Sequence, residues 1–200
     1  MTAQIQSTVK QWGKHIASVT LFAVLVIVFF SPSVLDGKTL RQMDNEKATG
    51  MGNSQMAPYE ETAAKGEFSV WSDAMFSGMP YISGYGDAAP KLPGFTWLER
   101  PLKSIDYGTA SMVFTGLTCF YILMYAMGMS WWLAIAGSIA FAFASYNIII
   151  IEAGHITKAY VIAYMPLTLA GMALLFKRNY LWGAVLFLLG IAFSINNGHI

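Results

Sequence analysis

Five apolar runs stand out from an otherwise mixed polar pattern: Ile16–Ser31, Thr109–Met127, Trp131–Ile151, Ala159–Phe176 and Tyr180–Ile195. A bilayer core is crossed by about 20 predominantly apolar helical residues. The three middle runs come close to that length. The first and last are shorter and lean on aromatic and lysine flanks, which can hold a short span at the interface. The pattern predicts an all-α fold, a polytopic transmembrane helical bundle of about five spans. It divides the chain into an N-terminal segment 1–15, a first span 16–31, a long loop 32–108 and a span-rich region 109–200. The last apolar run ends in a polar motif just before Ile200, so further spans are expected beyond it.

The long loop reads differently. Residues 44–65 are polar and could form an interfacial helix, although Gly50, Gly52 and Pro58 interrupt it. Residues 68–85 mix aromatics with Gly and Pro and read as irregular structure lying on the membrane surface or covering a cavity. Pro90, Pro93 and Pro101 predict an extended approach to the second span.

Composition agrees with the pattern. The chain is 56% hydrophobic and 12% charged, against about 25% charged residues in soluble domains. A net charge of +1 makes no case for nucleic acid. The single Cys119 cannot form an intramolecular disulfide. Phosphate-binding glycine loops, zinc spacings and the Gly-x-Ser-x-Gly elbow are absent from the sequence.

Lysine and arginine near span ends orient a membrane protein. Lys10 and Lys14 precede the first span, and Lys177 and Arg178 lie between the fourth and fifth. A cytoplasmic N-terminus puts all of them inside, with Lys158 as the exception in a short outer loop. The chain is then expected in a bacterial cytoplasmic membrane with its long loop outside. All eleven acidic residues, from Asp36 to Glu152, fall on the extracytoplasmic side with His155 and His199. A cleaved leader ending at Ser31-Pro32-Ser33 is the alternative for the first span. The proline and the long N-region argue against it.

Three polar features remain. Glu152, His155 and Lys158 follow at spacings of three and would share a face if the third helix continued. Ionisable groups at a membrane boundary usually face a cavity or pair with each other. The plain alternative is a solvated turn with snorkelling ends. Glu-x-x-His is also a di-metal motif, but that needs a second copy and two further glutamates. No cofactor is therefore assigned, and a divalent cation is left open. Asn196, Asn197 and His199 end the last run at the same level. Asp44 lies in the long loop between Arg41 and Lys47, with nothing local to mark it as reactive.

Taken in order, Ser33–Asp44 (SVLDGKTLRQMD), Trp71–Pro80 (WSDAMFSGMP), Phe141–Gly171 (FAFASYNIIIIEAGHITKAYVIAYMPLTLAG) and the terminal NNGHI resemble the bacterial YfhO-like membrane proteins, of the broad class of GT-C polytopic glycosyltransferases. The IEAGHITKA–AYMPL stretch is the most specific. Ile200 stands where similar sequences have Pro. The resemblance implies a GT-C-like bundle that moves a sugar from a lipid-linked polyprenyl-phosphate donor to a cell-envelope acceptor outside the cytoplasm. An acidic residue in the first outer loop would act as base, and Asp44 matches that position, with Asp36 a second choice. Arg41, Glu152, His155, Lys158, Asn197 and His199 would then form the substrate-binding surface. The competing expectations are a transporter or flippase component binding an anionic lipid, and an envelope-complex scaffold. Spans uninterrupted except by Gly and Pro166 favour the enzyme over the transporter.

Overall fold

The computed structural model describes residues 2–47, 50, 65, 71–72, 77–80, 94–106 and 108–197. Helix α1 (Thr2–Phe29) runs unbroken past Lys10 and Lys14, so the described part of the N-terminal segment belongs to the first helix. A single turn, α2 (Ser31–Val34), follows, with proline in its first turn, where a missing N–H costs nothing. Residues 43–47 are helical (α3). Then come a short ladder of β1 (Trp71–Ser72) and β2 (Met79–Pro80), and α4 (Phe95–Glu99). The main bundle is α5 (Thr109–Ala126), α6 (Trp131–Ala142), α7 (Ser145–Ala153), α8 (Ile156–Phe176) and α9 (Tyr180–Asn196).

Helix α5 is the hub. It packs on α1, α6 and α8, while α9 lies along α8. Every residue from Thr109 to Leu117 is buried, as expected of a helix apolar all round. Its hydroxyls are returned to its own backbone: Thr115 Oγ1 donates to the Ser111 carbonyl at 2.7 Å. Helices α8 and α9 touch at glycines. A Cβ on Gly171 would run into the backbone nitrogen of Phe187, and one on Gly190 into Thr168. Close backbone approach through small residues is the usual way that apolar helices associate in lipid. Helix α1 is attached more loosely. Ser18, Phe22 and Val26 form its one fully buried stripe, and only 17% of the Trp12–Phe29 window is buried.

Among the described residues three helices are long and apolar enough to cross a membrane: α1 over Trp12–Phe29, α5 and α8. The third apolar run differs from the expected uninterrupted span. It is two helices, α6 and α7, bent by 44°. Phe143 and Ala144 leave the helical path, and Asn147 Nδ2 donates to the Phe141 carbonyl at 2.8 Å, satisfying a backbone acceptor at the break. Counted as one bent span, the pair makes a fourth. Helix α9 is apolar but has 17 residues. Two loop expectations also change. Pro101 follows helix α4 in a run of turns closed by Leu102 N–H to the Glu99 carbonyl at 2.9 Å, so the chain is not extended there, while Pro90 and Pro93 lie outside the described residues. Part of the stretch expected to be irregular forms the ladder, with Trp71 opposite Pro80.

Antiparallel packing sorts the helix termini into two ends. His15, midway along α1, meets Tyr121 in the C-terminal part of α5, and Phe29, at the end of α1, meets Phe143 at the end of α6. The basic end holds Lys14, Lys177 and Arg178. There Lys177 Nζ donates to the Ala126 carbonyl at 2.8 Å, closing the C-terminus of α5. The opposite, acidic end gathers α2, α3, α4, the start of α5, the α7–α8 turn and the end of α9.

Candidate functional site

The α7–α8 turn is built by Gly154, which sits in the left-handed region at φ 101°. The His155 N–H bonds back to the Ile150 carbonyl at 3.0 Å, and the Gly154 N–H to the Ile151 carbonyl at 3.2 Å. This Schellman-type closure ends α7 at Ala153. His155 then opens α8, its carbonyl accepting the Ala159 N–H at 2.9 Å. Glu152, His155 and Lys158 therefore do not share one continuous helical face, contrary to their spacing. The glycine ends the helix between the first and second of them.

The same turn receives α3. Gln42 is buried, and its Nε2 donates to the Ile151 carbonyl at 2.5 Å. Its Oε1 accepts from Asn45 Nδ2 at 2.6 Å. Asn45 lies so close to Gly154 that a Cβ there would stand 3.1 Å from its Cγ. These contacts carry Asp44 to His155, with Oδ2 at 3.4 Å from Nε2 and both side chains 52% exposed. Beside the pair opens a groove of about 740 Å³, lined by Arg41, Asp44, Glu46, Lys47 and Glu152 over Met43 and Ile149. Arg41 is committed within it: its guanidinium bonds Glu46 through Nε at 3.0 Å and Nη2 at 3.3 Å. Among the described residues Lys47 has no acidic partner. Exposed ion pairs such as Asp44–His155 contribute about 0–1 kcal/mol, so these groups can exchange partners at small cost.

Other sequence candidates lie elsewhere. Lys158 turns its ammonium over the ring of Tyr146, 5.6 Å from the centroid, and does not line the groove. Asn197 joins a second cluster described next. His199 lies outside the described residues. Among the described residues no three His, Cys, Asp or Glu side chains gather as a metal-ligand set.

Of the second cluster, the sequence pattern marks Asn196 and Asn197 but not Glu99 or Lys103. Glu99, at the end of α4, is 2% exposed. Lys103 pairs with its Oε2, while Asn197 Nδ2 at 3.0 Å and Asn196 Nδ2 at 3.3 Å donate to its Oε1. Lys103 also donates to Asn197 Oδ1 at 3.0 Å and lies over the Tyr160 ring, 4.4 Å from the centroid. The Tyr160 hydroxyl meets Ser111 Oγ at 2.8 Å. Asp106 Oδ1 accepts the Gly108 N–H at 2.8 Å and the Ser111 N–H at 3.3 Å, covering the exposed donors at the start of α5. Every charge here is answered within the protein. The cluster ties the segment before α5 to the ends of α8 and α9. For Glu99 and Lys103 the available sequence signal is their four-residue spacing.

Apolar spanning helices capped at one end by two polar clusters define a membrane-embedded helical protein. No family model matches the chain, and no curated protein or solved structure matches it.

Proposed function

We propose that the protein is an integral membrane glycosyltransferase that moves a sugar from a polyprenyl-phosphate donor to a cell-envelope acceptor. In this reading the short helix α9 counts as a span and the acidic end faces away from the cytoplasm, in a bacterial inner membrane. The sequence resemblance to the YfhO-like proteins, with the GT-C-like bundle it implies, supports the reading. The observation that supports it best is the meeting of Asp44 and His155 beside an open groove that also holds Lys47 and Glu152. Asp44 takes the proton of the acceptor hydroxyl as its oxygen bonds the anomeric carbon. The bond from that carbon to the donor phosphate oxygen breaks, and the electron pair leaves on the polyprenyl phosphate. Cationic groups at the groove stabilise that charge. His155 is adjacent, and Arg41 contributes once Glu46 releases it. Glu152 orients the acceptor from the opposite wall. Lys158 does not line the groove, and Asn197 belongs to the cluster around Glu99.

The test is Asp44→Asn in cells. Transfer to the envelope acceptor is lost while the protein still accumulates in the membrane. Full transfer by that variant would sink the assignment of the base.

A second reading is favoured by one observation, the 44° break between α6 and α7. Broken spans mark transporters, whose interrupted helices line a substrate path. A flippase for an anionic lipid would move that lipid across proteoliposomes without forming a glycosidic bond. An envelope-complex scaffold would do neither.

A further inference from the structure

The basic end of the bundle carries a feature that the groove at the acidic end does not explain. Residues of α1 and α5 line a cavity of about 470 Å³ there. That lies within the roughly 300–1,000 Å³ of small-ligand sites. Trp12, Val19, Ile122 and Tyr125 supply an apolar wall, and His15 and Tyr121 a polar strip. The strip is ordered: His15 Nδ1 meets the Tyr121 hydroxyl at 2.8 Å, and Ser18 Oγ donates to the same oxygen at 3.3 Å. His15 is also held edge-on against Trp12, Tyr121 and Tyr125. Its Nε2 has no protein partner among the described residues. Lys14 is exposed beside it, and Lys177 and Arg178 stand at the same end. Every carboxylate among the described residues is at the other end of the bundle.

We propose that this cavity is a binding site for one anionic phospholipid, with an acyl chain against Trp12, Ile122 and Tyr125 and the phosphate at Lys14 and His15. Two arguments select that occupant. The wall is apolar and lies between two membrane-crossing helices, where hydrocarbon is the surrounding medium. Lys14, exposed one residue before the lining His15, is not opposed by any carboxylate at this end among the described residues, so the charge there complements an anionic headgroup. A basic residue at an anionic bilayer surface typically gains about 1 kcal/mol. The site also gives α1 a second partner beyond its narrow stripe on α5.

Tryptophan fluorescence of the 200-residue chain tests this. The protein is reconstituted in phosphatidylcholine nanodiscs containing a small fraction of brominated phosphatidylglycerol or brominated phosphatidylcholine. Subtracting the Trp12→Phe variant isolates the Trp12 signal among the six tryptophans. The brominated phosphatidylglycerol should quench Trp12 at a mole fraction several-fold lower than the brominated phosphatidylcholine does. Lys14→Gln, which leaves the His15–Tyr121 bond intact, should narrow that preference by about five-fold. His15→Gln should narrow it too. Soluble glycerol phosphate should not compete, which separates a lipid site from a phosphate site. Equal quenching by the two lipids would overturn the proposal in favour of ordinary lipid contact. Absence of Trp12 quenching by either lipid would overturn it in favour of a protein segment filling the cavity. Competition by glycerol phosphate would overturn the lipid assignment.

Discussion

The two polar clusters at the acidic end contain similar residues and are built in opposite ways. Around Glu99 the charges are sealed. The carboxylate is 2% exposed, both of its oxygens are taken, and its lysine is shared between Glu99, Asn197 and the Tyr160 ring. Around Asp44 the charges are open. The carboxylate and its histidine are each 52% exposed, 3.4 Å apart, beside a groove of about 740 Å³. A sealed cluster has no free valence for a ligand, and its removal leaves buried charge unanswered. An open one has spare valence and little to lose. Charge at a membrane boundary is therefore a poor guide to function until it is known whether the protein has already satisfied it.

The largest effect should come from breaking the sealed cluster. Glu99→Ala strands Lys103 and two asparagine amides, and about 3–5 kcal/mol of stability should go with them. Denaturant titration in detergent measures it. The paired variant Glu99→Met with Lys103→Met removes both charges and should recover most of the loss, because a well-packed apolar pair is often no worse than a buried ion pair. If Glu99→Ala unfolds at the parent's midpoint, the cluster is not the tie described above.

Next comes Gly154→Ala, which joins the comparison from the other side. A left-handed backbone costs a side-chain-bearing residue about 1–2 kcal/mol, and the added methyl presses on Asn45. The variant should lose that stability and also displace α3, so transfer activity falls although no groove-lining side chain has changed. A crosslink between cysteines placed at positions 44 and 155 reads the displacement directly. Efficient crosslinking in the Gly154→Ala background would show that α3 docks without the glycine.

What could be read from the sequence follows from these mechanisms. The helices α5, α8 and α9 are legible because long apolar runs admit few other structures in a bilayer. The turn at Gly154 and the closeness of Asp44 to His155 are not legible together. The first is local, but the second depends on Gln42 reaching the Ile151 carbonyl across the long loop. Glu99 was missed for the same reason, since its asparagine partners lie in the last turn of α9 and the residue just after it. The break between α6 and α7 occurs at Phe143 and Ala144, without Gly or Pro to announce it. Ser145 and Asn147, residues whose side chains compete for backbone bonds, were the available signal.

Beneath the sealed cluster lies one group that it does not satisfy. The Tyr164 hydroxyl is buried without a hydrogen-bond partner among the described residues, its ring stacked on Tyr160 and tilted against Phe193. An unpaired buried hydroxyl carries a desolvation cost of about 1 kcal/mol or more. Tyr164→Phe should therefore raise stability by about 1 kcal/mol in the same titration. A loss of similar size would mean that the hydroxyl has a partner, such as a bound water, and that the polar network extends into the bundle.

The smallest expected effect is the sharpest test of openness. Asp44→Asn, His155→Gln and the double variant form a thermodynamic cycle. Both side chains are half exposed and stand 3.4 Å apart, so their coupling should be below about 1 kcal/mol. Each single change should move stability by no more than about 0.5 kcal/mol, the usual range for surface positions. The prediction joins that near-neutral stability to a large loss of transfer. Residues that only build the fold show the reverse, with activity falling in step with stability. A coupling of several kcal/mol would place Asp44 and His155 with Glu99 and Lys103, as a second tie between the loop and the bundle. In that outcome the groove would lose its strongest claim to be the reacting site.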